Sequence, residues 1–411
     1  MSRLHLFEAY GVEIETMIVD RSSLDLRPLS DQLLAAANGG TLEAEIELGE
    51  LAWSNELVMH VIEFKTNGPA RALEPLPELF LRDMRRADAL LASLGARLLP
   101  GGMHPWMDPF TETRLWPHDS NTIYERFHAI FDCRGHGWSN LQSTHLNLPF
   151  ANDAEFDLLH GAVRLLLPLL PALSAASPVA DGHLSGFLDT RLEVYRKNCA
   201  RIPSVSGRVV PEPVSTRADY EDRLLAGIHA DLAPHDPDGV LRHEWVNARG
   251  AIARFDRFAV EIRTLDAQEC PLADLALCAL IVAVLRRLID GRWAPLPEQV
   301  AWDTERLATH FLAAVRDGER AMITDSEYLA LFGLRGTQVT LQDVWRQLLA
   351  EVCASDADFA RHWSAPLTHI VGRGPLARRL MAALGADPDR NRLHAVSLEL
   401  ADCLRAGRLF G

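Results

Sequence analysis

The sequence contains no hydrophobic run long enough to cross a bilayer as a helix. Its longest apolar stretch, residues 275–285, ends at Arg286 and Arg287 and predicts a buried helix. The first ten residues, MSRLHLFEAY, lack the apolar core of a signal peptide. We therefore expect a protein that is neither exported nor bound to a membrane, and that works in the cytoplasm.

Cysteine is sparse, with six residues among 411, and no two of them form a CxxC pair. This scatter argues against a zinc ribbon and against a disulfide framework, and it favours reduced thiols. Cys270 and Cys278 are eight residues apart, and burial is the expected role of both.

Basic residues are outnumbered, with 41 Lys and Arg against 56 Asp and Glu and a net charge of −15. Non-specific nucleic-acid binding needs a basic surface, so nucleic acid is not an expected partner. The sequence also lacks GxxxxGK[ST] and GxGxxG phosphate loops and internal repeats. An acidic protein can still bind ATP if divalent cations accompany the nucleotide. The oligomeric state, including a homo-oligomer, stays open.

The distribution of apolar residues predicts an α+β protein. Predicted strands cover residues 12–19, 42–48, 58–66, 97–100 and 143–149, and strand character returns over 241–266. Predicted helices cover residues 76–94, 151–175, 272–290, 303–319, 341–352, 356–371, 374–385 and 391–405. We expect a catalytic core over residues 1–290 and a helical C-terminal lobe over 291–411 that packs against it.

The segment YGVEIETMIVD places two carboxylates on a predicted strand. Side chains alternate along a strand, so Glu13 and Glu15 share one face with the apolar Met17 and Val19. A half-buried strand normally keeps its second face polar throughout. Either the two glutamates lie at a solvated strand end, or they face an interior that holds positive charge.

Two later strands carry polar pairs at the same spacing. These are His145 and Asn147 in QSTHLNLPF, and Glu261 and Arg263 in FAVEIRTLD. Each pair lies between apolar neighbours and so shares one face of a predicted interior strand. For any single pair a solvated face is the simpler interpretation, but the set together favours one common polar site.

The segment ELVMHVIEFKT adds Glu63 and Lys65 on one strand face, with Glu56 seven residues before Glu63. Seven is an odd offset, so in a straight strand Glu56 and Glu63 would point to opposite sides. Both can serve one site only if a bulge or a turn lies between them.

Several carboxylates on converging strands would repel one another unless cations lie between them. Mg²⁺ and Mn²⁺ prefer oxygen ligands with an occasional imidazole, and they bridge nucleotide phosphates. The pattern therefore favours a Mg²⁺–ATP site. The run Glu43, Glu45 and Glu47 is treated separately, because its clean alternation with apolar residues predicts an exposed hairpin face.

The segments that carry these residues resemble those of glutamate–cysteine ligases and related carboxylate–amine ligases, within the glutamine synthetase-like superfamily. The matching segments, in the family's order, are YGVEIETMIVD, ELVMHVIEFKTNGP, GGMHPW, STHLNLPF, SPVADGHLSGFLDTR and FAVEIRTLDAQECP. The resemblance extends over about residues 7–290. The strand THLN departs from it, because many relatives carry a second histidine there.

The resemblance implies a curved, mainly antiparallel sheet that forms a half-open funnel with helices on its outer face. Mg²⁺–ATP and an acidic amino acid would bind on the concave face. The implied metal ligands, for Mg²⁺ or Mn²⁺, are Glu13, Glu15, Glu56, Glu63, His145 and Glu261. Glu13 and Glu15, together with Arg263, are the residues implied to be catalytic.

The resemblance also implies contacts to the substrates. Arg263 would contact ATP phosphates, and Arg254 and Arg249 would reach the nucleotide. Arg191 would pair with a substrate carboxylate, and Asn147 would contact substrate or phosphate.

These expectations lead to an ATP-dependent ligase that joins the γ-carboxylate of glutamate to the amine of cysteine or a similar amino acid. ATP would phosphorylate the carboxylate, and the amine would then displace phosphate, so no protein nucleophile is needed. Three alternatives stay open: a ligase for a different amine, a non-catalytic nucleotide or metal sensor, and a two-metal phosphohydrolase. The phosphohydrolase fits less well, because such sites draw more on Asp and His.

Overall fold

The computed structural model describes residues 3–119 and 121–411 of the chain. The strands are β1 (Gly11–Asp20), β2 (Glu45–Leu48), β3 (Leu51–Asn55), β4 (Val61–Thr66), β5 (Ala96–Leu99), β6 (Ser143–Pro149), β7 (Val179–Ala180), β8 (His183–Leu184), β9 (Ala251–Arg254), β10 (Ala259–Asp266), β11 (Met322–Ile323) and β12 (Val339–Thr340). The helices are α1 (Ser30–Ala37), α2 (Leu76–Ala92), α3 (Pro109–Glu112), α4 (Asn121–Phe131), α5 (His136–Ser139), α6 (Asp153–Leu166), α7 (Pro171–Ser174), α8 (Thr190–Asn198), α9 (Arg217–Tyr220), α10 (Ala226–Leu232), α11 (Pro271–Ile289), α12 (Leu296–Val300), α13 (Thr304–Asp317), α14 (Ser326–Ala330), α15 (Leu341–Ser355), α16 (Ala357–Arg373), α17 (Leu376–Leu384) and α18 (Arg390–Ala406).

The main sheet has the strand order β2-β3-β4-β1-β6-β10-β9, and β5 pairs with the end of β1 beyond β4. Every pairing in this sheet is antiparallel. The prediction of an α+β protein with a mainly antiparallel sheet is therefore confirmed.

The two faces of the sheet differ in chemistry. On one face, Val12, Ile14 and Phe64 are buried in the main hydrophobic core together with Phe80 and Leu91 of α2. The opposite face carries the carboxylates of β1, as the period-two pattern predicts. Direct cross-strand partners share a face, so the register decides which polar side chains meet there.

The polar face of β1 ends at Met17. Met17 is fully buried and packs in a small apolar cluster with Val58 and Val61. The unusual pattern of two glutamates followed by apolar residues therefore marks the edge of a polar site, where the chain after β3 covers the strand.

A turn lies between Glu56 and Glu63, as their odd spacing requires. The strand β3 ends at Asn55, residues 56–60 form the connection, and β4 begins at Val61 and pairs back on β3. Both glutamates line one cavity as a result. The alternation over 42–48 gives a shorter strand, and Glu45 and Glu47 on it are exposed as predicted.

The structure differs from the sequence prediction at two strands. The strand Leu51–Asn55 was not predicted, because four of its five residues are buried and the sequence does not alternate between apolar and polar residues there. Strand character over 241–250 is wrong, since this stretch contains a 3₁₀ turn at Glu244–Val246 and the strand begins only at Ala251.

The helices after Pro271 share a buried core with the sheet. Tyr328 donates a hydrogen bond of 2.6 Å to Leu165 O, and Trp345 Nε1 donates one of 3.0 Å to Leu169 O. The division of the chain at residue 290 stays a prediction. Within residues 3–119 and 121–411, no helix is both long and apolar enough to span a membrane.

Candidate active site

A cavity of about 510 Å³ opens against the polar face of the main sheet. Five glutamates line it, from β1, the β3–β4 connection, β4 and β10: Glu13, Glu15, Glu56, Glu63 and Glu261. The structure thus brings together His145 and all five carboxylates that the resemblance implies as metal ligands.

The strand register explains this meeting. Glu13 lies opposite His145 of β6 on one side and opposite Lys65 of β4 on the other. Glu15 lies opposite Glu63. Because each of these pairs shares the same sheet face, three neighbouring strands present their ionisable groups to one space.

His145 is at the centre of the carboxylate cluster. Its Nδ1 lies 3.0 Å from Glu13 Oε2 and 3.9 Å from Glu261 Oε1, and its Nε2 lies 3.9 Å from Glu15 Oε1. Ser143 connects the ring to the next carboxylate, since its Oγ lies 3.0 Å from His145 Nε2 and donates a 2.9 Å hydrogen bond to Glu15.

His145 and Glu13 form an ion pair, as the shifts of their two pKa values indicate. Burial acts to lower the pKa of His145, but the hydrogen bond to Glu13 and the charges of Glu15 and Glu13 outweigh it and raise the pKa to about 9. Burial acts to raise the pKa of Glu13, but the hydrogen bond and charge of His145 lower it to about 2. At neutral pH the ring is an imidazolium and Glu13 is a carboxylate.

At two other glutamates, burial and neighbouring carboxylates disfavour the charged form of the side chain. Burial and the charge of Glu13 raise the pKa of Glu63 to about 7. Burial and the charges of Glu15 and Glu63 raise the pKa of Glu56 well above its ordinary value. Ser54 donates a 2.6 Å hydrogen bond to Glu63 and favours its charged form.

The cluster has the chemistry of a hard-cation site. Its donor set is buried carboxylate oxygen plus one imidazole, and the raised pKa values show a deficit of positive charge. Within residues 3–119 and 121–411, no three of these groups already have the spacing of a metal site. A cation that took a ring nitrogen of His145 as a ligand would have to displace the proton that this ring carries at neutral pH.

Arg263 and Arg254 are paired with the carboxylate of Glu261. Arg263 Nη2 donates to Glu261 Oε1, and Arg254 Nη1 donates a 3.4 Å hydrogen bond to Oε2. Arg263 lies where the register between β10 and β6 shifts, a place where a strand can re-aim a side chain. Its Nε is buried and lacks a hydrogen-bond partner in the described part of the chain.

Arg191 also lines the cavity, but a protein carboxylate holds it in place. Its Nε donates to Asp266 Oδ1, while Ser177 Oγ donates a 2.7 Å hydrogen bond to Asp266 Oδ2. A side chain at Gly102 would place its Cβ 2.4 Å from the same oxygen, so glycine is required there. Sequence reasoning missed Asp266 as a positioning residue, although it ends the quoted FAVEIRTLD strand.

Two of the residues implied to bind substrates do not line the first cavity. Arg249 does not line this cavity, because its guanidinium is engaged by Glu212, by Asn247 Oδ1 at 2.9 Å and by Ser204 O at 3.1 Å. Asn147 donates a 3.1 Å hydrogen bond to Glu13 but lines a neighbouring cavity.

This second cavity, of about 330 Å³, adjoins the first at Glu13, Lys65 and Arg257. Lys65 Nζ lies 2.7 Å from Glu45 Oε2 and 3.3 Å from Glu63 Oε2. The sequence has lysine only at positions 65 and 197, so an ammonium group beside the glutamates is a distinctive feature. The strand pattern predicted that Lys65 shares a face with Glu63 but indicated no role for it.

Part of the wall of the first cavity is aromatic, and sequence reasoning did not foresee it. Tyr124 and Phe127 of α4, Trp138 of α5 and Trp245 form this part of the wall. Phe127 packs against both tryptophans, with ring centroids 5.3 Å from Trp138 and 6.0 Å from Trp245. We call these four residues the aromatic end.

The chain is similar to proteins of a known family. A sequence model of glutamate–cysteine ligase family 2 matches residues 9–397. An uncharacterised protein of Archaeoglobus fulgidus is 39% identical over 64% of the chain and 70% of its own length. A protein of Bradyrhizobium diazoefficiens, provisionally named glutamate–cysteine ligase 2, is 25% identical over 97% of the chain and 85% of its own length.

Solved structures share the fold at low sequence identity. The glutamate–cysteine ligase of Francisella tularensis, crystallised with AMP, aligns with a TM-score of 0.57 and 14% identity over 99% of the chain and 90% of its own. A bifunctional glutathione synthetase of Pasteurella multocida aligns with a TM-score of 0.55 and 14% identity, over 96% of the chain and 53% of its own.

Proposed function

Because the chain belongs to glutamate–cysteine ligase family 2, we propose that it is an ATP-dependent carboxylate–amine ligase. It joins the side-chain carboxylate of glutamate to the amine of cysteine or another acceptor, and it releases ADP and phosphate. The observation that carries this proposal is the meeting of five glutamates and His145 on one sheet face beside Arg263, Arg191 and Lys65.

The glutamates and His145 hold Mg²⁺ or Mn²⁺ in this proposal, and the sheet is the curved wall of a half-open, glutamine synthetase-like funnel. When bound, the ions neutralise the phosphates of ATP and polarise the transferred phosphoryl group. The raised pKa values of Glu56 and Glu63 support this assignment, because uncompensated carboxylates are what a divalent cation would stabilise.

The cationic side chains would bind the two anionic substrates, ATP and glutamate. Arg263 has a buried Nε without a partner in the described chain, which suits a phosphate oxygen. Lys65 lies where the two cavities meet and would contact the phosphates from the opposite side. Arg191 is fixed by Asp266, which keeps its guanidinium oriented toward the cavity, where it would bind a carboxylate of glutamate.

The chemistry then needs positioning and charge neutralisation rather than a protein nucleophile. The glutamate side-chain carboxylate attacks the γ-phosphorus of ATP, and the bond from that phosphorus to the β,γ-bridging oxygen breaks. The acceptor nitrogen attacks the resulting acyl phosphate, loses a proton and expels phosphate as the amide forms.

The experiment is an ADP-release screen with Mg²⁺, ATP and glutamate against a panel of amino acids and amines, followed by mass spectrometry. A ligase gives ADP together with an amide whose mass equals glutamate plus amine minus water. Tight ATP binding without turnover would instead indicate a nucleotide sensor, and phosphate release without amide would indicate a hydrolase.

A further inference from the structure

The aromatic end presents apolar surface that the protein itself does not cover. Tyr124, Phe127, Trp138 and Trp245 are each only half-buried, although Phe127 contacts both tryptophan rings. A ligand that covers such rings removes apolar surface from water, which contributes favourably to the free energy of binding.

The segments that build the aromatic end contribute only uncharged residues to the cavity wall, although His243 stacks on Trp245 and Glu56 lies near Tyr124. These segments contribute residues 123, 124, 127, 137, 138, 141, 245, 246 and 248 to the cavity wall. None of these described residues is Arg, Lys, His, Asp or Glu. The cationic residues of the cavity wall lie in other segments, such as Arg191 of α8 and Arg263 of β10. The aromatic end therefore favours an apolar group over a charged one.

The purine ring of ATP is one conceivable occupant, but the second cavity suits it better. That cavity shares Glu13, Lys65 and Arg257 with the first, so a triphosphate at this junction has room for its nucleoside beyond them. Its wall adds Asn67 and Asn147, whose amide nitrogens donate to Gly49 O and Glu13 and whose amide oxygens can accept from a purine amino group. With the nucleotide there, the aromatic end is left to the acceptor.

Cysteine as the acceptor would contact only a small part of the aromatic end. Its side chain is a single methylene and a thiol, which can cover a small part of four aromatic rings. A large apolar group would contact several of them at the offset and edge-on distances that aromatic pairs prefer.

We propose that the aromatic end binds the acceptor and that the acceptor is a primary amine bearing an aromatic or similarly large apolar group. This rests on the ligase function proposed above. The amine nitrogen would point to the glutamate cluster, and the apolar group would pack against the half-buried rings of the aromatic end. Both a simple arylalkylamine and an aromatic amino acid have a primary amine and an aromatic group.

The test compares kcat/KM of the full-length protein for two matched pairs, phenethylamine against ethylamine and L-phenylalanine against L-alanine, with L-cysteine alongside. The aromatic member of at least one pair should exceed its partner by about 100-fold, and the pair that responds identifies the source of the aromatic group. A higher kcat/KM for cysteine than for both aromatic compounds would overturn the proposal.

Trp245→Leu provides the second arm, with Phe110→Ala as the matched control because Phe110 is exposed and lies outside the cavity. Trp245→Leu should reduce the aromatic preference about tenfold at unchanged KM for ATP, while the control preserves both. A rise in the KM for ATP without loss of aromatic preference would assign the aromatic end to the purine and overturn the proposal.

Calorimetry of phenethylamine binding separates this proposal from the ligase function. Absence of ADP release with every amine contradicts the ligase function. Turnover of small amines together with no measurable binding of phenethylamine or phenylalanine contradicts the aromatic acceptor alone.

Discussion

His145 Nδ1 lies 3.0 Å from Glu13 Oε2 across the pairing of β1 and β6, and the two side chains form a buried ion pair at the centre of the cavity. The pKa of His145 is raised from 6.5 to about 9 and that of Glu13 is lowered to about 2. The metal-free protein thus keeps a proton where the proposed function needs a cation.

This ion pair predicts a pH-dependent stability of the metal-free protein. Because the folded-state pKa of His145 is the higher one, the stabilisation is fully present below pH 6.5 and is lost as the pH rises through 9. His145→Gln should therefore lower the free energy of unfolding by on the order of 2 kcal/mol more at pH 6 than at pH 9.5. Urea unfolding in the presence of a chelator measures the difference, with exposed His362→Gln as control. A difference that does not change with pH would contradict the ion pair.

Metal binding should have the opposite pH dependence. A cation must displace the proton of His145 and requires Glu63, with a pKa of about 7, in its charged form. We expect Mn²⁺ affinity to rise between pH 6 and pH 9, with protons released on binding. Calorimetry in two buffers of different ionisation enthalpy counts those protons. Equal affinity at both ends of this range would argue against these ligands.

Ser54 should tune the metal site without being a ligand. Its hydroxyl donates a 2.6 Å hydrogen bond to Glu63, and a hydrogen bond to a charged group contributes about 1.5–3 kcal/mol. Ser54→Ala should weaken Mn²⁺ binding about tenfold at pH 7, because the pKa of Glu63 rises further. Ser93→Ala, which alters an exposed serine, serves as control. Unchanged Mn²⁺ affinity in Ser54→Ala would show that Glu63 does not hold the ion.

The two lysines form a matched pair for testing the phosphate contact. Lys65 lies at the junction of the two cavities, whereas Lys197 is an exposed partner of Glu193 on α8. Lys65→Met should raise the Kd for ATP about tenfold, since it removes a partly buried charge beside the phosphates. Lys197→Met should leave ATP binding unchanged, because exposed pairs contribute little. Similar Kd values for both variants would remove Lys65 from the nucleotide site.

Arg191 and Arg379 are both buried and paired with a carboxylate, but only Arg191 lines the cavity. Arg191→Lys should raise the KM for glutamate at least about tenfold, because lysine cannot keep the two-pronged geometry of a guanidinium. Arg379→Lys breaks the comparable pair with Glu269 and should lower the Tm while leaving this KM unchanged. A KM that follows the Tm in both variants would mean that Arg191 only supports the fold.

Strand periodicity was enough to find most of the polar face. Glu13 and Glu15, His145 and Asn147, and Glu261 and Arg263 were each recognised as pairs at spacing two, because this period is a local property of the chain. The odd spacing of Glu56 and Glu63 also predicted the turn that the β3–β4 connection supplies.

Tertiary placement could not be read in the same way. The register of β1 against β6 decides whether the cross-strand partner of His145 is Glu13 or Glu15. No single segment of the sequence encodes that register. The resemblance implied that Arg249 reaches the nucleotide, but local sequence does not show that Glu212 and Asn247 hold its guanidinium outside the first cavity. The aromatic end draws on α4, α5 and residue 245, which are far apart in the sequence and share no motif.

The most direct test is Mg²⁺-dependent ADP release with ATP, glutamate and the best amine, compared between the unchanged protein, Glu13→Gln and Glu15→Gln. Each variant removes one negative charge from the cluster and keeps the shape of the side chain, so the fold should persist while ADP release is lost. Exposed Glu47→Gln on β2 should retain full activity. Normal turnover in either Glu13→Gln or Glu15→Gln would contradict the assignment of this sheet face as the catalytic centre.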